Sequence, residues 1–163
     1  MRALIWAVAV LALGPALGAS DVERALLGSW KLVSYEDKPA TGPIDYPYGQ
    51  RPRGLLIYDA TGHMAIQIMK NPHPNVAAGD EERATPQEKL ALLDAYVAYF
   101  GTYRVDVARG VVITRAEGDL YDVYVGRDEE RSFELSGDRL TLKTHWAKEG
   151  QAWSGTRAFL RIK

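Results

Sequence analysis

The chain of 163 residues contains no cysteine, which excludes disulfides, thiolate metal ligands and cysteine nucleophiles together. Histidine is scarce as well. His63, His73 and His145 are the three present, and none stands at the i, i+2 or i, i+4 spacing that lets two imidazoles share a metal from one element, so no metal site is expected. Charge of one sign is also missing. The 20 Lys and Arg against 21 Asp and Glu leave −1, and the basic residues are scattered among acids, so no field forms to hold nucleic acid or anionic lipid. Ser154 lacks the Gly-x-Ser-x-Gly elbow of a serine hydrolase. No dinucleotide or phosphate-binding glycine pattern occurs, and no cofactor is expected. The acids are dispersed too: Asp119 and Asp122 flank a strand start, and Asp128-Glu129-Glu130 reads as a solvated hairpin turn.

One apolar run does occur, at the N-terminus. Arg2 is followed by Ala3 to Leu13, a Gly14-Pro15 break, and small residues at Ala16, Gly18 and Ala19, the layout of a secretory signal cleaved after Gly18 or Ala19. The run is shorter than the roughly 20 residues of a spanning helix, so no membrane insertion of the mature chain is expected. The expected division is a signal peptide over 1–19 and one domain over 20–163, exported to a periplasm or the medium. Without disulfides, that domain depends on its core alone.

Along the rest of the chain the dominant period is two, in short runs separated by Gly, Asp and Asn, which predicts an antiparallel sheet. The runs are Trp30 to Glu36, Leu55 to Asp59, His63 to Met69, Thr102 to Val107, Val111 to Glu117, Tyr121 to Val125, Ser132 to Leu135, Arg139 to Thr144 and Thr156 to Ile162. Sequential hairpins of this kind predict a single mainly β, up-and-down barrel of about eight or nine strands, since closure removes exposed edges. One inserted α-helix is expected from the capping box Thr85-Pro86-Gln87-Glu88 to about Ala98. Its stripes Leu90, Leu93, Val97 and Leu92, Tyr96, Tyr99 require cover from the barrel or from a partner.

Four ordered blocks resemble the bacterial and fungal lipocalin-like domain family, relatives of the lipocalins within the calycin architecture. They are Leu27-Gly28-Ser29-Trp30-Lys31-Leu32-Val33-Ser34-Tyr35; Tyr46-Pro47-Tyr48-Gly49 joined to Pro52-Arg53-Gly54-Leu55-Leu56-Ile57-Tyr58; Ala98-Tyr99-Phe100-Gly101-Thr102-Tyr103; and Phe133-Glu134-Leu135-Ser136-Gly137-Asp138-Arg139-Leu140-Thr141-Leu142. The resemblance implies a β-barrel with a small-molecule cavity and carries no agreed catalytic set. It also implies that Trp30 and Arg161 close the barrel base by stacking guanidinium on indole, with Arg157 as the competing partner.

Candidate ligand contacts come from three places. The loop from Ile44 to Gly54 carries Tyr46, Tyr48, Arg51 and Arg53, which either cover the mouth, with rings on an apolar body and an arginine on an anionic end, or form a stiff loop over the core. On the third strand, His63, Gln67 and Met69 share one face and Met64, Ile66 and Ile68 the other. Alternation alone leaves open which face turns inward. Tyr58, Tyr103 and Tyr124 are further candidates. The expected function is non-catalytic binding of a small hydrophobic or amphipathic molecule in the barrel. The alternative is an isomerase- or cyclase-type enzyme, possible in secondary metabolism, with His63 or a tyrosine moving a proton. A third reading has the helix and loop presented to a protein partner. Oligomeric state stays open.

Overall fold

Eight strands pair in chain order, each antiparallel to the next, and the last returns to the first to close a barrel. In a computed structural model, residues 18–163 are described; the expected export segment lies outside them except for its last two positions. The strands are β1 (Gly28–Pro39), β2 (Arg53–Tyr58), β3 (His63–Met69), β4 (Tyr96–Asp106), β5 (Val111–Asp119), β6 (Asp128–Ser136), β7 (Arg139–Lys148) and β8 (Gln151–Arg161). Helix α1 (Ala19–Leu26) precedes the barrel, and α2 (Pro86–Asp94) lies between β3 and β4. Neither is long and apolar enough to cross a membrane.

Three local expectations change. The run Tyr121 to Val125 is not a ninth strand: Asp122–Tyr124 forms a single 3-10 turn. Asp119 accepts from the backbone N–H of Tyr121 at 2.9 Å and turns the chain out of the ladder just where β5 ends. Helix α2 begins at the expected capping box, with Thr85 Oγ1 accepting from Glu88 N and Glu88 Oε2 accepting from Thr85 N. It stops at Asp94, four residues before the expected Ala98. Tyr96, Val97, Ala98 and Tyr99 pair instead with Met69, Ile68, Gln67 and Ile66, because β-branched and aromatic side chains gain more from ladder pairing and burial than from another helical turn. Leu90 therefore stays 57% exposed and Leu93 40% exposed, so the barrel leaves the helical part of that stripe uncovered, while Val97 packs on the core from β4. Helix α1 has no counterpart in the sequence reading.

The closing seam between β8 and β1 carries two arginine–ring contacts. Trp30 lies opposite Arg161 and Tyr35 opposite Arg157 in the β1–β8 register. Val33 is the extra residue of a β-bulge between Leu32 and Ser34. An inserted residue reverses the alternation, so Trp30 and Leu32 face inward before it and Tyr35 and Asp37 after it. The Arg161 guanidinium lies 4.1 Å over the Trp30 ring and donates to the carbonyls of Leu27, at 2.7 Å, and Ala25. Trp30 Nε1 donates to Leu26 O at 2.9 Å. The carbonyls that end α1, left without intrahelical donors, are thus capped by the barrel base. Arg157 does not compete for Trp30.

Above that base the inner faces fill with Leu32, Leu56, Tyr58, Met64, Val112, Leu140 and Phe159, all nearly inaccessible. Burying each large apolar side chain contributes about 1.5–3 kcal/mol. A second bulge, between Phe100 and Gly101, turns β5 against β4. A Cβ on Gly101 would stand 2.0 Å from the Arg115 carbonyl oxygen and 2.8 Å from Glu117 N, both rigid ladder atoms.

Two stability outcomes follow from these contacts. Arg161→Met removes the cation–π contact and two carbonyl bonds, and is expected to cost about 2–4 kcal/mol in denaturant unfolding; a loss below about 0.5 kcal/mol would refute the base-closing role. Gly101→Ala is expected to cost about 3 kcal/mol or more by the same measurement, because backbone must move to admit the methyl group.

Candidate functional site: a cavity in the upper barrel

The inner side chains pack completely only in the lower half. Toward the other end the inner positions of β4, β5 and β6 become Tyr99, Val97, Thr114, Ala116, Arg131 and Glu129, and a cavity of about 600 Å³ opens among them. Ile66, Ile68, Leu142 and Phe159 form its apolar walls, while Tyr48, Tyr121, Tyr124 and Trp146 stand around it toward the loops. On β6 the inward residues run Glu129, Arg131, Phe133, Leu135. The first two line the cavity and the last two pack on the core, so Arg131 marks the boundary between hollow and filled barrel.

Two arginines bring charge inside. Arg157 stacks on Tyr35, with its guanidinium carbon 3.3 Å from the ring centroid, and Nη1 donates to the carbonyls of Glu36 at 2.8 Å and Thr156 at 3.3 Å. Asp37 Oδ1 lies 2.8 Å from the same nitrogen. With the Nη1 hydrogens turned to the carbonyls, this oxygen receives no aligned donor, so the contact is an ion pair by distance alone. Both side chains are largely buried, at 12% and 15% exposure. Burial pushes the Asp37 carboxyl above its ordinary range, and Arg157 offsets this only in part.

Arg131 is differently placed. It lies 5.9 Å from the Tyr99 ring centroid, and Nη1 donates to Thr114 Oγ1 at 3.0 Å. The Tyr99 phenol raises its pKa, against the effect of burial. Tyr48 stands edge-on to Tyr35, 4.7 Å between centroids at 67°, and burial pushes its phenol up to about 12. The phenols of Tyr35 and Tyr48, both raised by burial, stay neutral near physiological pH and can donate or accept a hydrogen bond. Among the described residues, no cluster of His, Asp and Glu is arranged to hold a metal ion.

Eight antiparallel strands thus close into a barrel whose base is sealed by the Arg161–Trp30 contact and whose upper half is hollow. The profile of the lipocalin-like domain family matches residues 27–162. The chain belongs to that family. The match runs from the residue after α1 to the residue after β8 and so covers the whole barrel of this lipocalin-like domain. No curated protein matches the chain in sequence.

The candidates named from the sequence are dispersed over this lipocalin-like domain. Tyr48 and Tyr124 line the cavity. Tyr58 is buried in the base, its ring 4.5 Å from that of Tyr103, and the Tyr103 hydroxyl donates to Asp59 O at 2.8 Å. Neither lines the cavity. His63 and Gln67 lie on the outer face of β3, because Met64, Ile66 and Ile68 take the inner one; the His63 ring sits 2.8 Å from Thr61 Oγ1 in the β2–β3 turn. Arg51 and Arg53 are exposed and Tyr46 is half-buried outside the lining set. The loop thus contributes one ring, and the interior cations come from strands. The Arg131 side was legible by extending the Phe133, Leu135 alternation backward by two residues. Reading Asp128 to Glu130 as a turn stopped that extension, whereas these residues pair with Arg115, Thr114 and Ile113 inside β6. Arg157 likewise shares an inner face with Phe159.

A pH-dependent outcome follows from Asp37. With a folded pKa above the unfolded value of about 3.9, this acid contributes stability that is fully present below about pH 3.9 and lost as pH rises through the folded value. Asp37→Asn lacks that loss. Its stability relative to the parent is expected to increase between about pH 3.5 and about pH 8 in paired thermal melts; a constant or shrinking difference would show that burial does not control this carboxyl.

Proposed function

We propose that this lipocalin-like domain is an exported carrier or store that holds one small amphipathic molecule in the upper barrel, without chemical change. The supporting observation is the cavity itself: about 600 Å³ within a closed barrel, with Ile66, Ile68, Leu142 and Phe159 on its walls and tyrosines and Trp146 around it. That volume falls within the range of small-molecule sites, whose apolar walls supply affinity and whose few polar groups supply orientation. The signal-like segment Arg2 to Ala19 supports delivery to a periplasm or the medium. A second reading, isomerase- or cyclase-type catalysis in the same cavity, has one observation on its side: Asp37 is a buried carboxyl with a raised pKa that faces the cavity, a state suited to proton transfer. His63, on the outer surface, contributes nothing to that chemistry.

The test is the mass of the mature protein, purified from the exported fraction of its own host and recorded under native and then denaturing conditions. The carrier reading expects one small molecule per chain in the native spectrum, lost on denaturation. A clean unliganded mass, together with failure to bind a neutral apolar dye, would overturn it. Conversion of the bound molecule on incubation, abolished in Asp37→Asn, would favour the catalytic reading.

A further inference from the structure

Five charged side chains face the cavity: Asp37, Asp119, Glu129, Arg131 and Arg157. Lys143 turns to the outer face, where it reaches Glu134. Of the two inner cations, Arg157 lies 2.8 Å from Asp37. Among the described residues Arg131 has no carboxylate within 4.0 Å. Glu129, two residues along the same inner face, is outside pairing distance. Of the five N–H groups a guanidinium carries, Arg131 places one on Thr114 Oγ1. That hydroxyl in turn donates to Glu129 O at 3.4 Å. A neutral hydroxyl and the face of Tyr99 leave this half-buried charge with no carboxylate in pairing distance, Glu129 acting on it only from farther off. Such a charge is costly unless an anion joins it.

From this we infer that the molecule held in the cavity is an anion, an apolar body ending in a planar or tetrahedral oxyanion, and that its charged end meets Arg131. The inference rests on the carrier reading above and adds the chemical class of the ligand. The charged end goes in first. Arg131 lies where the hollow meets the packed base, while Trp146, Tyr121 and Tyr124 offer rings to the apolar body nearer the loops. The forked donors of a guanidinium suit an oxyanion, and the aromatic walls suit a ring-bearing body. Asp119 and Glu129 disfavour the reverse orientation by placing carboxylates where the anionic end would otherwise lie.

Two dyes with the same ring skeleton separate the ideas: anilinonaphthalene sulfonate, an anion, and N-phenylnaphthylamine, which is neutral. The parent protein is expected to hold the sulfonate about 10-fold or more tighter than the neutral dye, as measured by fluorescence titration. In Arg131→Met the sulfonate is expected to weaken by about 10- to 100-fold, while the neutral dye changes by less than about 3-fold. Arg131→Lys, which keeps the charge but not the fork, should recover part of the loss. Should Arg131→Met fail to fold by circular dichroism, Arg131→Gln and Arg131→Lys provide the same comparison. Equal affinity for the two dyes in the parent, or an unchanged sulfonate affinity in the neutral variants, would overturn the anion inference and leave the carrier reading standing, because the neutral dye is still held. Failure of the parent to hold either dye would overturn both.

Discussion

The pairing of β8 with β1 is the constraint on which the rest of the molecule depends. It closes the ladder and sets two arginines of one strand against two aromatic rings of the other, Arg161 on Trp30 and Arg157 on Tyr35. A guanidinium inside a barrel loses hydration, and its presence there is tolerated only where donors and charge find partners. Arg161 finds them in the last carbonyls of α1, which also anchors that helix across the base. Arg157 finds them in two carbonyls and Asp37. The single extra residue at Val33 makes both contacts possible, because it brings Tyr35 and Asp37 to the same inner face as Trp30.

Along that seam the barrel has a packed half and a hollow half. Below, bulky apolar chains from all eight strands pack together. Above, residues such as Thr114 and Ala116 are too small to reach across, and the space remains. Of the two arginines inside the cavity, Arg157 has a carboxylate beside it and Arg131 has none within pairing distance. An interior of this kind favours a ligand through area on its walls and selects it through the few groups whose hydrogen bonds remain to be completed. The neutral phenols of Tyr35 and Tyr48, held protonated by burial, contribute area and hydrogen bonding without altering the charge balance.

Much of the frame was legible because its causes are local. The turns at Ala60-Thr61-Gly62 and Gly137-Asp138 lie between strands whose alternation is visible in the chain, and the Thr85–Glu88 capping box involves four consecutive residues. The site was less legible. Tyr48 and Tyr124 reach the cavity, but Tyr58 and Tyr103 belong to the packed base and His63 and Gln67 to the outer surface. Each of these placements depends on a contact between strands distant in sequence: the Tyr58–Tyr103 pair joins β2 to β4, and the phase of β3 follows from what its inner neighbours bury. Tyr96 to Tyr99 carried a helical stripe as convincing as their strand alternation, and only their pairing with β3 decided between the two.

The amino-acid sequence by itself determined that this is one antiparallel barrel of the lipocalin-like domain family with a capped helix inserted, because alternation, turn chemistry and capping act over a few neighbouring residues. Tertiary structure alone decided the phase of each strand, the ring that each arginine takes, and the depth at which a charge is left without a counter-ion. Those are properties of closure: one extra residue reverses an entire strand face, and whether a cation is paired depends on what the other seven strands place within a few ångströms of it.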